Sequence, residues 1–195
     1  MTLSPRRIFL ALLTGLALAG ATHGAFAADQ APPQVSIKTS LGEIVVELNP
    51  EKAPKSVANF LQYVKERHYK NTVFHRVIDG FMIQGGGFDK NMKEKKTHAP
   101  IESESKNGLT NDKYTLAMAR QSDPHSATSQ FYINVENNGA LDFPGADGWG
   151  YTVFGKVVKG TDVVDKIKQV AVTDKGMFQN VPTVPVVIKS VTLVK

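Results

Sequence analysis

The chain has 195 residues, 42% hydrophobic and 21% charged, with no cysteine. That composition is ordinary for a globular domain and excludes a disordered, collagenous or disulfide-stapled chain. The formal charge of +5 falls to +3 over residues 28–195, because residues 1–27 hold two of the 23 basic residues and none of the 18 acidic ones. A balance that small makes no case for nucleic acid as a partner.

Residues 1–27 read as a cleavable export signal. Arg6 and Arg7 form a basic start, and residues 8–19 are an apolar run. That run is shorter than the roughly 20 residues that span a bilayer. Ala25-Phe26-Ala27 supplies the small-x-small pattern of a cleavage site, with the cut between Ala27 and Ala28. The expectation is a periplasmic protein with no stable membrane association after cleavage. Arg6-Arg7 partly matches the twin-arginine motif. Nothing else calls for a cofactor loaded before export, so secretion as an unfolded chain is favoured. Residues 28–33 form a short mobile lead-in, and residues 34–195 form a single domain large enough for its own core.

Residues 35–39 and 43–48 alternate apolar with polar around Ser40-Leu41-Gly42, which reads as a hairpin. Residues 53–66 carry Val57, Phe60, Leu61 and Val64 at helical spacing, with Pro54 in the first turn. Strand-like runs follow at 74–78, 81–84, 115–118, 130–135 and 152–158. Residues 161–168 form a second helix with Val164 and Ile167 on one side, and 186–194 a last strand. Two long segments, 85–113 and 136–150, lack a regular pattern, and segments of that length in a compact domain are usually functional. Many strands and two separated helices exclude a doubly wound α/β sheet. A mainly β fold remains, either a closed barrel capped by two helices or a sandwich.

The most informative stretch is Phe74-His75-Arg76-Val77-Ile78-Asp79-Gly80-Phe81-Met82-Ile83-Gln84-Gly85-Gly86-Gly87-Phe88. Asp79-Gly80 is a turn pair, and Met82 and Gln84 share a face by the period of two. This run resembles the signature of the cyclophilins. The resemblance continues through Leu116-Ala117-Met118-Ala119, Ser129-Gln130-Phe131-Tyr132-Ile133 and Val153-Phe154-Gly155-Lys156-Val157, in order along the chain. Ala127-Thr128-Ser129-Gln130-Phe131 and Asn180-Val181-Pro182 are most similar to the periplasmic bacterial members.

The resemblance implies a closed antiparallel eight-stranded β-barrel and a peptidyl-prolyl cis/trans isomerase. It also implies proline-containing peptides and unfolded exported proteins as partners, a monomer, and no metal or cofactor. It places the catalytic arginine at Arg76. Phe81, Met82, Tyr132 and Leu141 would line the proline socket, and Gln84 would orient the peptide. Ala119, Arg120 and Gln121 match the short strand that pairs with substrate backbone. Gln130 and Tyr151 match further contacts, and His75 a supporting hydrogen bond beside Arg76.

This chain departs from the common pattern at several positions. Tyr132 stands where phenylalanine is usual and would add a hydroxyl to the socket. Arg120 replaces an asparagine of eukaryotic members and would add a charge beside the groove. Ala140 stands at the place of a tryptophan important for cyclosporin, and Tyr151 at that of a nearby histidine, which implies weak cyclosporin binding. Two other readings of the residues carry less. Ser126 and Ser129 lie near His125 without a nucleophile elbow. Gly85-Gly86-Gly87 lacks the lysine and spacing of a phosphate loop and reads as loop bending beside a groove. A barrel that holds prolines without turning them over is the serious alternative.

Overall fold

The computed structural model describes residues 31–194. The predicted export signal and the first half of the lead-in lie outside them. The elements are β1 (Gln34–Thr39), β2 (Glu43–Leu48), α1 (Pro54–Lys65), β3 (Thr72–Ile78), β4 (Met82–Asp89), β5 (Thr115–Met118), β6 (Phe131–Asn134), β7 (Val153–Lys159), α2 (Thr161–Lys168), β8 (Val172–Lys175), β9 (Phe178–Pro182) and β10 (Val186–Leu193). Eight strands close an antiparallel barrel in the order β1-β10-β3-β4-β6-β5-β7-β2, and β8 and β9 pair with each other. The barrel is therefore the arrangement formed, not the sandwich.

The inward residues of the barrel and the apolar faces of both helices share one core. Phe60 of α1 sits at its centre, with ring centroids 5.1 Å from Tyr69, 5.6 Å from Phe131 and 5.4 Å from Phe154. The buried stripe of α1 is turned slightly from the predicted one. Val57, Phe60 and Val64 are buried, but Leu61 is only half-buried and Tyr63 is the further buried ring. Tyr63 can enter the core because its hydroxyl, at the periphery, accepts the His98 N–H at 2.9 Å. In α2, Val163 joins the predicted Val164 and Ile167.

One expectation is corrected, and one hairpin was not predicted. The segment from Gly85 does not leave the sheet: β4 runs through all three glycines to Asp89. These glycines make room and do not bend a loop. A Cβ on Gly85 would meet the Phe74 ring at 3.0 Å, and one on Gly87 would strike the Gln130 side chain at 2.5 Å. The stretch after α2, for which no element was predicted, holds the β8–β9 hairpin. Every residue of β8 is exposed, so that strand carries no apolar alternation to betray it.

Candidate functional site

The site is built on the outer face of the barrel, opposite the core. In β3 the register against β4 slips between Phe74, which stands against Gly85, and Arg76, which stands against Gln84. Two steps on one strand thus match one on the other, the mark of a β-bulge. Strict alternation would put Phe74 and Arg76 on the same side. With the bulge, Phe74 and Val77 both point into the core while Arg76 emerges on the outside.

From Arg76 a row of directly opposed residues crosses the sheet: Gln84 on β4, Tyr132 on β6 and Ala117 on β5. Met82, Ala117, Tyr132 and Val153 form a second apolar cluster on this face, with Phe81, Ala119, Leu141 and Tyr151 packed against it. Above it lies a groove of about 110 Å³ lined by Arg76, Phe81, Met82, Gln84, Ala119, Arg120, Tyr132, Leu141 and Tyr151. Two larger hollows, of about 330 and 250 Å³, contain none of these residues.

Nine of the predicted residues therefore meet in one groove, and three stand apart. Gln130 lies behind Gln84 and accepts its Nε2–H at 2.9 Å. Its side chain rests against Gly87, which explains why a side chain there would be intolerable. Gln121 is not among the groove-lining residues, and its N–H is bound to Ser126 Oγ at 2.8 Å. β5 ends at Met118, so Ala119, Arg120 and Gln121 extend beyond the strand rather than forming part of it. His75 is buried; its Nδ1 is without a partner among the described residues, while the ring also meets the Val73 backbone as a hydrogen-bond partner. Its ring packs T-shaped on Phe88 with centroids 4.7 Å apart, and Phe88 packs on Phe178 of β9 at 5.2 Å. Burial, helped by the adjacent Arg76, pushes the imidazole down to about 4. His75 is thus neutral at pH 7 and holds its place by packing.

The polar groups behind the groove were not foreseen. The Tyr132 hydroxyl does not enter the socket; it donates to Asn111 Oδ1 at 2.8 Å, in a buried setting. Asn134 donates to the same oxygen at 3.2 Å, and Asn111 returns its own N–H and Nδ2–H to Asp142 Oδ1 at 2.6 and 2.9 Å. Asn138 donates to the Phe81 carbonyl at 2.8 Å. Asn111 therefore ties the floor of the groove to the segment that follows Leu141. A buried tyrosine hydroxyl requires a partner, but sequence alone does not say which of several asparagines supplies it.

The two arginines differ sharply. Among the described residues the Arg76 guanidinium has neither a hydrogen bond nor an ion pair with the protein. Arg120, by contrast, bonds the Gly150 and Gln121 carbonyls and the Asp147 carboxylate, and stacks 4.4 Å from the Tyr151 ring. The charge expected beside the groove does line it, and it is paired within the protein.

Comparison with known proteins identifies related chains. The sequence profile of the family described as cyclophilin type peptidyl-prolyl cis-trans isomerase/CLD matches residues 34–193. The peptidyl-prolyl cis-trans isomerase B of Escherichia coli is 56% identical over 161 residues, covering 82% of this chain and 98% of its own. The peptidyl-prolyl cis-trans isomerase A of Dickeya dadantii is 50% identical over 190 residues, covering 97% of this chain and 98% of its own. A crystal structure of a cyclophilin type isomerase from Cryptosporidium parvum superposes with a TM-score of 0.69 at 27% identity, covering 84% of this chain and 98% of that one.

Two stability predictions follow from the buried groups. Tyr132→Phe removes a donor from Asn111 and is expected to cost about 1 kcal/mol, read as a lower urea midpoint with an unchanged slope. For His75 the folded pKa of about 4 lies below the unfolded value near 6.5, so the unfolded chain binds the extra proton between them. The stability His75 confers is complete above pH 6.5 and is lost as pH falls through 4, up to about 3 kcal/mol. A His75→Gln variant should therefore show a flatter stability profile than the wild type between pH 6.5 and 4. Parallel profiles would show that the imidazole is not held neutral.

Proposed function

The chain belongs to the cyclophilin-type peptidyl-prolyl cis-trans isomerases, and from that premise we propose that Arg76 performs the reaction on X-Pro bonds of exported proteins in the periplasm. Amide nitrogen shares its lone pair with the carbonyl, which sets a rotation barrier of about 18–20 kcal/mol. X-Pro bonds consequently exchange over roughly tens to hundreds of seconds. No covalent bond is made or broken, so the enzyme has only to bind the twisted amide better than either planar form. In that twisted state the proline nitrogen turns pyramidal and becomes a hydrogen-bond acceptor. Lowering the barrier by about 5.5 kcal/mol gives roughly 10⁴-fold acceleration.

One observation carries this reading: Arg76 lines an apolar-floored groove with its guanidinium donors unclaimed among the described residues. A guanidinium stays protonated and presents several charge-assisted donors in a fixed plane. Met82 and Tyr132 give the proline ring a floor that is already packed, since they are only 2% and 4% exposed. Gln84, pinned through Nε2 by Gln130, keeps its Oε1 as an acceptor for a substrate N–H. A passive holder of prolines would have the floor and no need of a free cation at its rim.

Export rests on residues 1–27. The alignment with the Dickeya relative spans 190 residues and so runs well into that segment, whereas the Escherichia coli relative is aligned over 161. Both relatives cover the barrel.

Arg76→Ala is expected to reduce kcat/KM 10²–10³-fold, about 3–4 kcal/mol of transition-state stabilisation, in a protease-coupled or NMR exchange assay on a proline peptide. Its fold should be intact, because the wild-type guanidinium makes no bond to lose among the described residues. An unchanged rate in the folded variant would leave the passive holder as the surviving reading. For export, the full chain produced in a Gram-negative host is expected in the osmotic-shock fraction with Ala28 as its first residue. Unprocessed protein retained in the cytoplasm would refute that part.

A further inference from the structure

The loop between Asp142 and Gly150 has no regular structure, yet it is closed at its neck and fixed at its tip. At the neck, the Tyr151 N–H donates to the Leu141 carbonyl at 2.8 Å. Gly150, with φ +69°, permits this approach, since a Cβ there would lie 2.6 Å from that same carbonyl oxygen. At the tip, Asp147 Oδ1 accepts the Trp149 and Gly150 N–H groups at 3.0 Å each, while Oδ2 pairs with Arg120. One carboxylate thus folds the turn and holds the arginine. Leu141 and Tyr151, the two residues joined at the neck, are walls of the groove.

The environments of the two partners are unequal. The Arg120 side chain is 4% exposed, and that of Asp147 45%. Arginine cannot relieve burial by losing its proton. Without its counter-charge the guanidinium would be a buried unpaired cation, which is strongly unfavourable. It would swing toward solvent, leaving the Gly150 carbonyl and the Tyr151 ring it now holds.

We propose that Asp147 is a positioning residue of the isomerase groove, acting through Arg120 to fix the wall made by Leu141 and Tyr151 and to withhold the Arg120 charge from substrate. This rests on the function proposed above. It assigns charge selectivity to a residue that does not line the groove. The wild type should treat peptides with neutral and acidic residues beside the proline alike, and loss of Asp147 should favour the acidic ones.

The test compares Asp147→Asn, Asp147→Glu and Arg120→Gln with the wild type on matched neutral and glutamate-bearing proline peptides. Asp147→Asn is expected to raise KM for the neutral peptide about three- to tenfold with kcat within about twofold, the interaction scale of a single ordinary hydrogen bond. The glutamate peptide should lose less, and Asp147→Glu should restore most of the effect. In the Arg120→Gln background Asp147→Asn should add nothing, because the pair acts as a unit. Trp149, the single tryptophan of the chain, reports the loop independently of turnover: its emission should change in Asp147→Asn. In the wild type itself, Arg120 guanidinium protons should exchange more slowly than those of Arg76. An unchanged KM in folded Asp147→Asn, full additivity with Arg120→Gln, or equal exchange of the two arginines would overturn the proposal. An inactive wild type, or an active Arg76→Ala, would instead refute the proposed function and leave the fluorescence and exchange results standing.

Discussion

A strand offers each side chain one of two sides, and the position of Arg76 is decided by a single irregularity in that rule. Phe74, two residues earlier, is fully buried among the core rings. In a regular β3 the guanidinium would be driven in beside it, where an unpaired charge is untenable. The bulge between them turns Arg76 outward and keeps Val77 and Ile83 as opposed core residues. His75, the residue at the bulge, is buried and packed on Phe88, which in turn rests on Phe178 of the β8–β9 hairpin. The aim of the Arg76 side chain thus depends on aromatic packing some distance behind it.

The groove is preformed by polar groups as much as by apolar ones. Gly87 leaves room for the Gln130 side chain, Gln130 holds Gln84, and Gln84 stands directly opposite Arg76. On the other flank Asn111 joins Tyr132 to Asp142. Burial raises the Tyr132 hydroxyl well above its usual range, so it remains a donor. Such satisfied networks limit rotamer freedom, which favours a reaction whose only requirement is a shape held ready for a twisted bond.

Much of this was legible in the sequence, for reasons that can be named. Met82 and Gln84 fall on one face by alternation alone, and the structure puts them there. The spacing in 161–168 describes α2 fully because that helix presents one apolar side. The misses have physical causes as well. The glycine run looked like a loop because glycine is usually a breaker; in β4 its lack of a side chain serves the rings of Phe74 and Tyr69 and the amide of Gln130. The expected hydroxyl of Tyr132 is bonded behind the socket, and the expected charge of Arg120 lines the groove but is paired. Both groups found partners, Asn111 and Asp147, more than twenty residues away in the chain. Partner choice at that separation is set by the closing of the barrel and leaves no local trace.

Closure of the barrel has one further result. Unfolded chains carry unsatisfied backbone donors and acceptors and readily add themselves to any open sheet border. Each of the eight strands of the barrel is paired on both flanks. A polypeptide passing over the groove therefore finds a floor for its proline and no vacant rung in the barrel ladder to climb onto. An enzyme with that shape can release a proline-bearing chain without being zipped into it.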